Sequence, residues 1–198
     1  MFTFGLFNRD KRAQKAKIRA VYDHLVEQAR KPVFYESYGV EDTLSGRFDM
    51  IVLHAFLFFQ RLKAEDEAAK DFGQEVFDTF FDDMDGSLRE LGVGYQAVPK
   101  RIKKMGEAFY GRLSVYDSAL ESAMNEGNLE PLAQALHRNI FPNQDIPHEV
   151  ADCLAHYMHA CALHLKACDL GALYGADFSW PDPVQFLNNA AMEGKVNA

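Results

Sequence analysis

The sequence predicts an all-α protein, a single irregular multi-helix domain of about five to six helices ending in an irregular C-terminal tail. Three observations carry this expectation. Apolar residues recur at steps of three and four along six successive stretches. Pro32, Pro99, Pro131 and Pro147, with Gly127-Asn128, fall where one stretch gives way to the next. No stretch shows a sustained alternation of apolar and polar residues, as a half-buried strand would.

The first helix is expected from about Asn8 to Arg30, where Ile18, Val21, Tyr22, Leu25, Val26 and Ala29 form one apolar stripe closed by Pro32. Residues 33–45 lack a helical period and contain Gly39, and so read as an ordered loop. A second helix, about Gly46 to Ala64, can be capped by Thr43 or Ser45. It is apolar nearly all round, which marks a central helix. Met50, His54, Leu57 and Arg61 share one of its faces.

A third helix, about Asp66 to Leu91, buries Phe72, Val76, Phe77, Phe80, Phe81, Met84 and Leu88, and Gly92-Val93-Gly94 ends it. Pro99 opens a fourth helix reaching about Asn125, with Ile102, Met105, Phe109, Tyr116, Leu120 and Ala123 inward. A short helix from Pro131 ends near Ile140. A loop, Phe141 to Ile146, leads to a last long helix from Pro147 to about Leu170. From Gly171 the chain reads as a tail pinned by Phe178, Trp180 and Phe186.

The 198 residues are 48% hydrophobic and 25% charged, a globular balance rather than a disordered one. Cys153, Cys161 and Cys168, spaced by eight and seven residues, match no zinc ribbon or CxxC pair and read as reduced thiols. Phe2, Phe4, Leu6 and Phe7 precede the basic residues, the reverse of a secretory signal. The longest near-apolar run, Met50 to Phe59, is about half a membrane span. These features suggest a cytoplasmic chain that does not cross a membrane, with an N-terminal tip able to touch a membrane surface reversibly.

A search for chemistry finds no GxSxG, P-loop or dinucleotide fingerprint, and no catalytic residue, metal or cofactor is expected. His156, His159 and His164 spread over more than a third of their helix, poor geometry for one ligand set. A haem- or metal-handling protein using these or His54 is the alternative reading. The acidic residues of 71–85 lack the paired Glu-x-x-His of a di-metal bundle. Arg47, Asp49, His54 and Arg61, polar groups on a mostly buried helix, are expected to organise the scaffold.

The net charge of −8 conceals segregation: residues 95–112 hold Lys100, Arg101, Lys103, Lys104 and Arg112 against Glu107. Lys104, Ala108 and Gly111 align on one face, and each of Gly106 and Gly111 costs about 1 kcal/mol relative to Ala in a helix interior. Either internal close packing or a smooth cationic contact strip accounts for them. The chain is acidic overall and has no helix-turn-helix or aromatic RNA signature, which argues against independent nucleic-acid binding.

Three stretches resemble the ubiquinol–cytochrome c chaperone family. The first runs from Tyr38-Gly39-Val40-Glu41-Asp42-Thr43 through Leu44-Ser45-Gly46-Arg47-Phe48-Asp49 into Leu53-His54. The second runs from Phe81-Asp82-Asp83-Met84-Asp85-Gly86 to Leu91-Gly92-Val93-Gly94. The third is Val98-Pro99-Lys100-Arg101-Ile102-Lys103-Lys104-Met105, closing on Glu107-Ala108-Phe109-Tyr110-Gly111-Arg112. The resemblance is strongest over residues 35–120 of one domain spanning 1–198; Tyr95 and Pro99 depart from the pattern expected around the turn. It implies a non-enzymatic chaperone that binds newly made cytochrome b and aids cytochrome bc1 assembly, of bacterial type, peripheral at the cytoplasmic face of the inner membrane. The charge of this strip, its two interior glycines and the resemblance together make Lys100, Arg101, Lys103, Lys104, Ala108, Gly111 and Arg112 the expected contact with the client or the ribosome.

Overall fold

The computed structural model describes residues 3–142 and 148–187, with side chains from residue 11 onward. The tip side chains Phe2, Phe4, Leu6 and Phe7, and the helix-opening Pro147, therefore lie outside what is described. Among the described residues there are eight α-helices and no strand. They are α1 (Thr3–Ala29), α2 (Pro32–Glu36), α3 (Leu44–Leu62), α4 (Glu67–Glu90), α5 (Val98–Glu126), α6 (Glu130–Ile140), α7 (His148–Ala167) and α8 (Leu170–Gly175). A 3-10 turn, Pro183–Phe186, follows.

Two of these elements exceed the expectation, and both are short. Pro32 ends α1 but also occupies the first turn of α2, where its missing N–H costs nothing. The Asp169 carboxylate accepts from Ala172 N and caps α8 inside the supposed tail.

Helix α3 is the axis of the fold. Every residue from Phe48 to Phe58 is buried, and α1, α4, α5, α6 and α7 all pack on it. Its entry is fixed by Thr43, whose hydroxyl accepts from Gly46 N at 3.2 Å. The preceding loop folds so close that a Cβ on Gly46 would lie 2.0 Å from the Glu41 carbonyl oxygen. Only glycine fits there.

One continuous core joins residues from Ile18 to Trp180, so the chain closes as a single domain. The last segment is part of it: Phe178 packs on His24 with ring centroids 4.6 Å apart, and Trp180 on His54 at 5.1 Å. Tyr38 donates to Pro183 O at 2.8 Å, holding the tail against the loop before α3.

Candidate functional site

The buried polar groups of α3, Asp49 and His54, have partners within the chain. His54, 0% exposed, donates through Nδ1 to Met50 O at 2.8 Å, and Tyr157 OH donates to its Nε2 at 2.8 Å. Gln28 Nε2 completes the chain by donating to Tyr157 OH at 2.8 Å. Burial holds the His54 imidazole down to about 4, so it is neutral. Both ring nitrogens are engaged, leaving no lone pair for a haem iron.

Arg61 donates to Leu165 O at 3.0 Å and Cys168 O at 3.2 Å, satisfying carbonyls at the end of α7, and pairs with Glu65. Arg47 is exposed and pairs with Asp42 at 2.6 Å. His156, His159 and His164 are half-buried along α7, and no group of three potential metal ligands converges among the described residues.

Helix α5 divides the basic residues by direction. Lys100, Arg101, Lys103 and Lys104 are exposed on its first two turns; Lys103 lies 3.9 Å from Glu107. Arg112 turns inward instead. Its Nη2 sits 2.7 Å from buried Asp49, its Nη1 donates to Ala108 O at 3.2 Å, and its guanidinium lies 5.8 Å from the Phe48 ring centre. Burial raises the Asp49 carboxyl to about 7, with Arg112 pulling the other way. This pair locks α5 to α3.

Ala108 is half-buried and Gly111 exposed. Among the described residues, a Cβ on Gly111 would meet nothing within 4 Å, and one on Gly106 only the Phe81 ring edge at 3.9 Å. Packing within the chain therefore does not demand either glycine, which leaves a low, accessible surface on α5.

Beside it runs a groove of about 500 Å³ between α3, α4 and α5. Phe59, Phe77, Phe109 and Tyr110 line it with Leu113 and Gly73, and polar side chains such as Gln60, Lys63 and Gln74 stand among them. Phe77 and Phe109 meet edge to face at 5.2 Å. Gly73 keeps the floor low, since a Cβ there would press on Leu62 Cδ1 at 3.3 Å. Tyr110 is 61% exposed at the lip, and Lys63 bridges to Asp117 at 2.7 Å along the rim. On α5, Lys103, Tyr110, Ser114 and Asp117 follow steps of seven, four and three, so the groove lies in line with part of the basic end.

The sequence places Phe77 and Phe109 in the core, where Phe109 is buried and Phe77 is half-buried beside the groove; Tyr110, Leu113 and Gly73 are not singled out by it. The available signal was the excess of aromatics at residues 59, 77, 81 and 109.

The ubiquinol-cytochrome C chaperone family model matches residues 36–180, which span the groove, the buried His54 chain and the Asp49–Arg112 pair. The chain belongs to this family. The match extends well beyond residues 35–120, taking in α6, α7 and the segment through Trp180. No curated protein matches. Among solved structures, the family member is similar to the crystal structure of the Cbp3 homolog from Brucella abortus. The two share 41% identity and a TM-score of 0.79 over 92% of this chain and 98% of that one.

Proposed function

We propose that the chain is an assembly chaperone of the cytochrome bc1 complex that receives an apolar helical segment of newly made cytochrome b in the α3–α4–α5 groove. Family membership supports the chaperone role, and one observation supports the site: the groove between α3, α4 and α5 exposes mainly apolar surface, with Phe77, Tyr110 and Leu113 along it. Helix-in-groove recognition places successive apolar anchors of an incoming helix against such a surface. A membrane helix outside its bilayer needs that shielding, because exposed apolar surface aggregates.

Lys100, Arg101, Lys103 and Lys104 supply an attractive field beside the groove, toward the client or the ribosome that makes it. Ala108 and Gly111 let a partner approach α5 closely, and Arg112 acts from inside by holding α5 in place. Contact of Phe2, Phe4, Leu6 and Phe7 with the cytoplasmic face of the inner membrane belongs to the same reading. No helix among the described residues is long and apolar enough to cross a membrane.

The test is capture of newly translated cytochrome b by Tyr110→Asp and Leu113→Asp, with Lys100→Glu/Arg101→Glu alongside and circular-dichroism melts of each. Tyr110 is mostly exposed, so its replacement changes stability little. Folded groove variants that lose capture support the reading; folded variants that capture cytochrome b at the wild-type level remove the groove from it.

A further inference from the structure

Three of the large apolar side chains that face solvent gather at one end of the fold. Leu91 (65% exposed) and Tyr95 (79%) project from the α4–α5 turn, and Leu44 (39%) from the start of α3. Leu44 and Leu91 share a shallow cleft of about 260 Å³ floored by Phe48, Ile51 and Met84. Arg30, Arg47 and Glu90 line its edge.

The chain through the α4–α5 turn into α5 is locally basic, while Glu41 and Asp42 stand beside Leu44. From Arg89 to Lys104 there are five basic residues and one acidic residue, Glu90, on a chain of net charge −8. Some of the cations are already engaged: Arg89 pairs with Asp85 and lies 5.3 Å from the Tyr95 ring centre, and Arg47 pairs with Asp42. Lys100, Arg101, Lys103 and Lys104 face solvent, and Lys103 lies 3.9 Å from Glu107.

The turn is built rather than loose. Gly92 takes a φ of 77°, Val93 N donates to Leu88 O at 3.1 Å, and Ala97 N to Gly94 O at 2.8 Å. Leu91 and Tyr95 are thus presented at fixed positions, ahead of the cationic start of α5.

From this arrangement we infer that the α4–α5 turn docks on an anionic lipid bilayer. Leucine side chains gain by entering the boundary between headgroups and acyl chains, and tyrosine favours that same depth. Lysine and arginine just behind are drawn to acidic headgroups, each strengthening binding by a factor of about five. Charge complementarity selects the bilayer, while the protruding leucines set it apart from a purely electrostatic RNA surface. Tyr110 lies ten residues beyond Lys100 on α5, so the groove opens about 15 Å from the docked end. Leu44, Leu91 and Tyr95 lie apart from the groove, and the inference does not depend on what the groove holds, although Lys100, Arg101, Lys103 and Lys104 are the same cations that the proposed function sets beside the client.

The experiment uses the full chain with Tyr95→Trp as a local reporter; the natural Trp180 is buried and gives a steady background. Leu91→Trp provides the same readout from a second position. Vesicles of phosphatidylcholine containing phosphatidylglycerol are expected to shift the new tryptophan's emission to the blue and shield it from iodide, whereas pure phosphatidylcholine vesicles leave it unchanged. Lys100→Glu/Arg101→Glu in the same background is expected to weaken the response by more than about tenfold. The inference is overturned if neither reporter responds to the anionic vesicles, even where the protein co-sediments with them through another segment. It is equally overturned if poly(U) RNA perturbs both reporters while the vesicles do not.

Discussion

Replacing His54 by phenylalanine should change how stability depends on pH, in a direction set by the buried hydrogen-bond chain. In the folded protein burial holds the imidazole down to about 4, against an ordinary value near 6.5. Below pH 6.5 the unfolded chain takes up a proton that the folded one refuses, so the wild type loses stability as pH falls toward about 4 and levels off below it. At about 1.36 kcal/mol per pH unit, the interval gives a loss of about 3 kcal/mol. The phenylalanine variant lacks this term. It is weaker near neutral pH, because the Tyr157 hydroxyl loses its acceptor at a cost of about 1–3 kcal/mol. Urea unfolding of both proteins at a series of pH values measures the gap between them. The variant's deficit should close or reverse between pH about 7 and about 4, a relative change of about 3 kcal/mol. A gap that stays constant would refute the picture of a neutral, fully buried imidazole.

Asp49→Asn should show the opposite slope. The Asp49 carboxyl is raised to about 7, so the folded wild type keeps a proton that the unfolded chain releases above 3.8. Wild-type stability relative to the variant then declines as pH rises through that window, read from the same urea series. Gly46→Ala should cost more than about 3 kcal/mol and lower the Tm by about 6–12 °C, because its Cβ meets backbone rather than a yielding side chain. Thermal melts check it. Gly111→Leu should leave the melt unchanged or raise it slightly, since its Cβ enters open space and glycine costs about 1 kcal/mol in a helix. The same variant should capture less newly made cytochrome b in a pull-down.

Much of the architecture was legible because period, proline and capping signals agreed. The central place of α3 followed from apolar residues covering its circumference, and the six long or medium helices from their stripes. The short helices were hidden for a physical reason: five or six residues are too few to show a period. Pro32 marks a helix start as readily as an end. Arg112 shows a harder limit. In sequence it continues a basic strip, yet in space it serves Asp49, sixty-three residues away, because only the packing of α5 on α3 decides which way it points. The buried role of His54 was legible from its apolar neighbours, whereas its partners Tyr157 and Gln28 come from other helices and leave no local trace. The groove was the least readable feature. Phe59, Phe77 and Phe109 carry the same pattern whether a helix covers them or a gap remains, and only the spacing of α3, α4 and α5 tells the two apart.

The central claim is that cytochrome b enters the α3–α4–α5 groove, and site-specific photocrosslinking tests it most directly. A benzophenone amino acid placed at Tyr110, in cells translating cytochrome b, sits at the lip of the groove without disturbing the core. The account predicts a crosslink to newly made cytochrome b from this position and none from exposed Leu163 on α7. A crosslink from Leu163 with none from Tyr110 would contradict it.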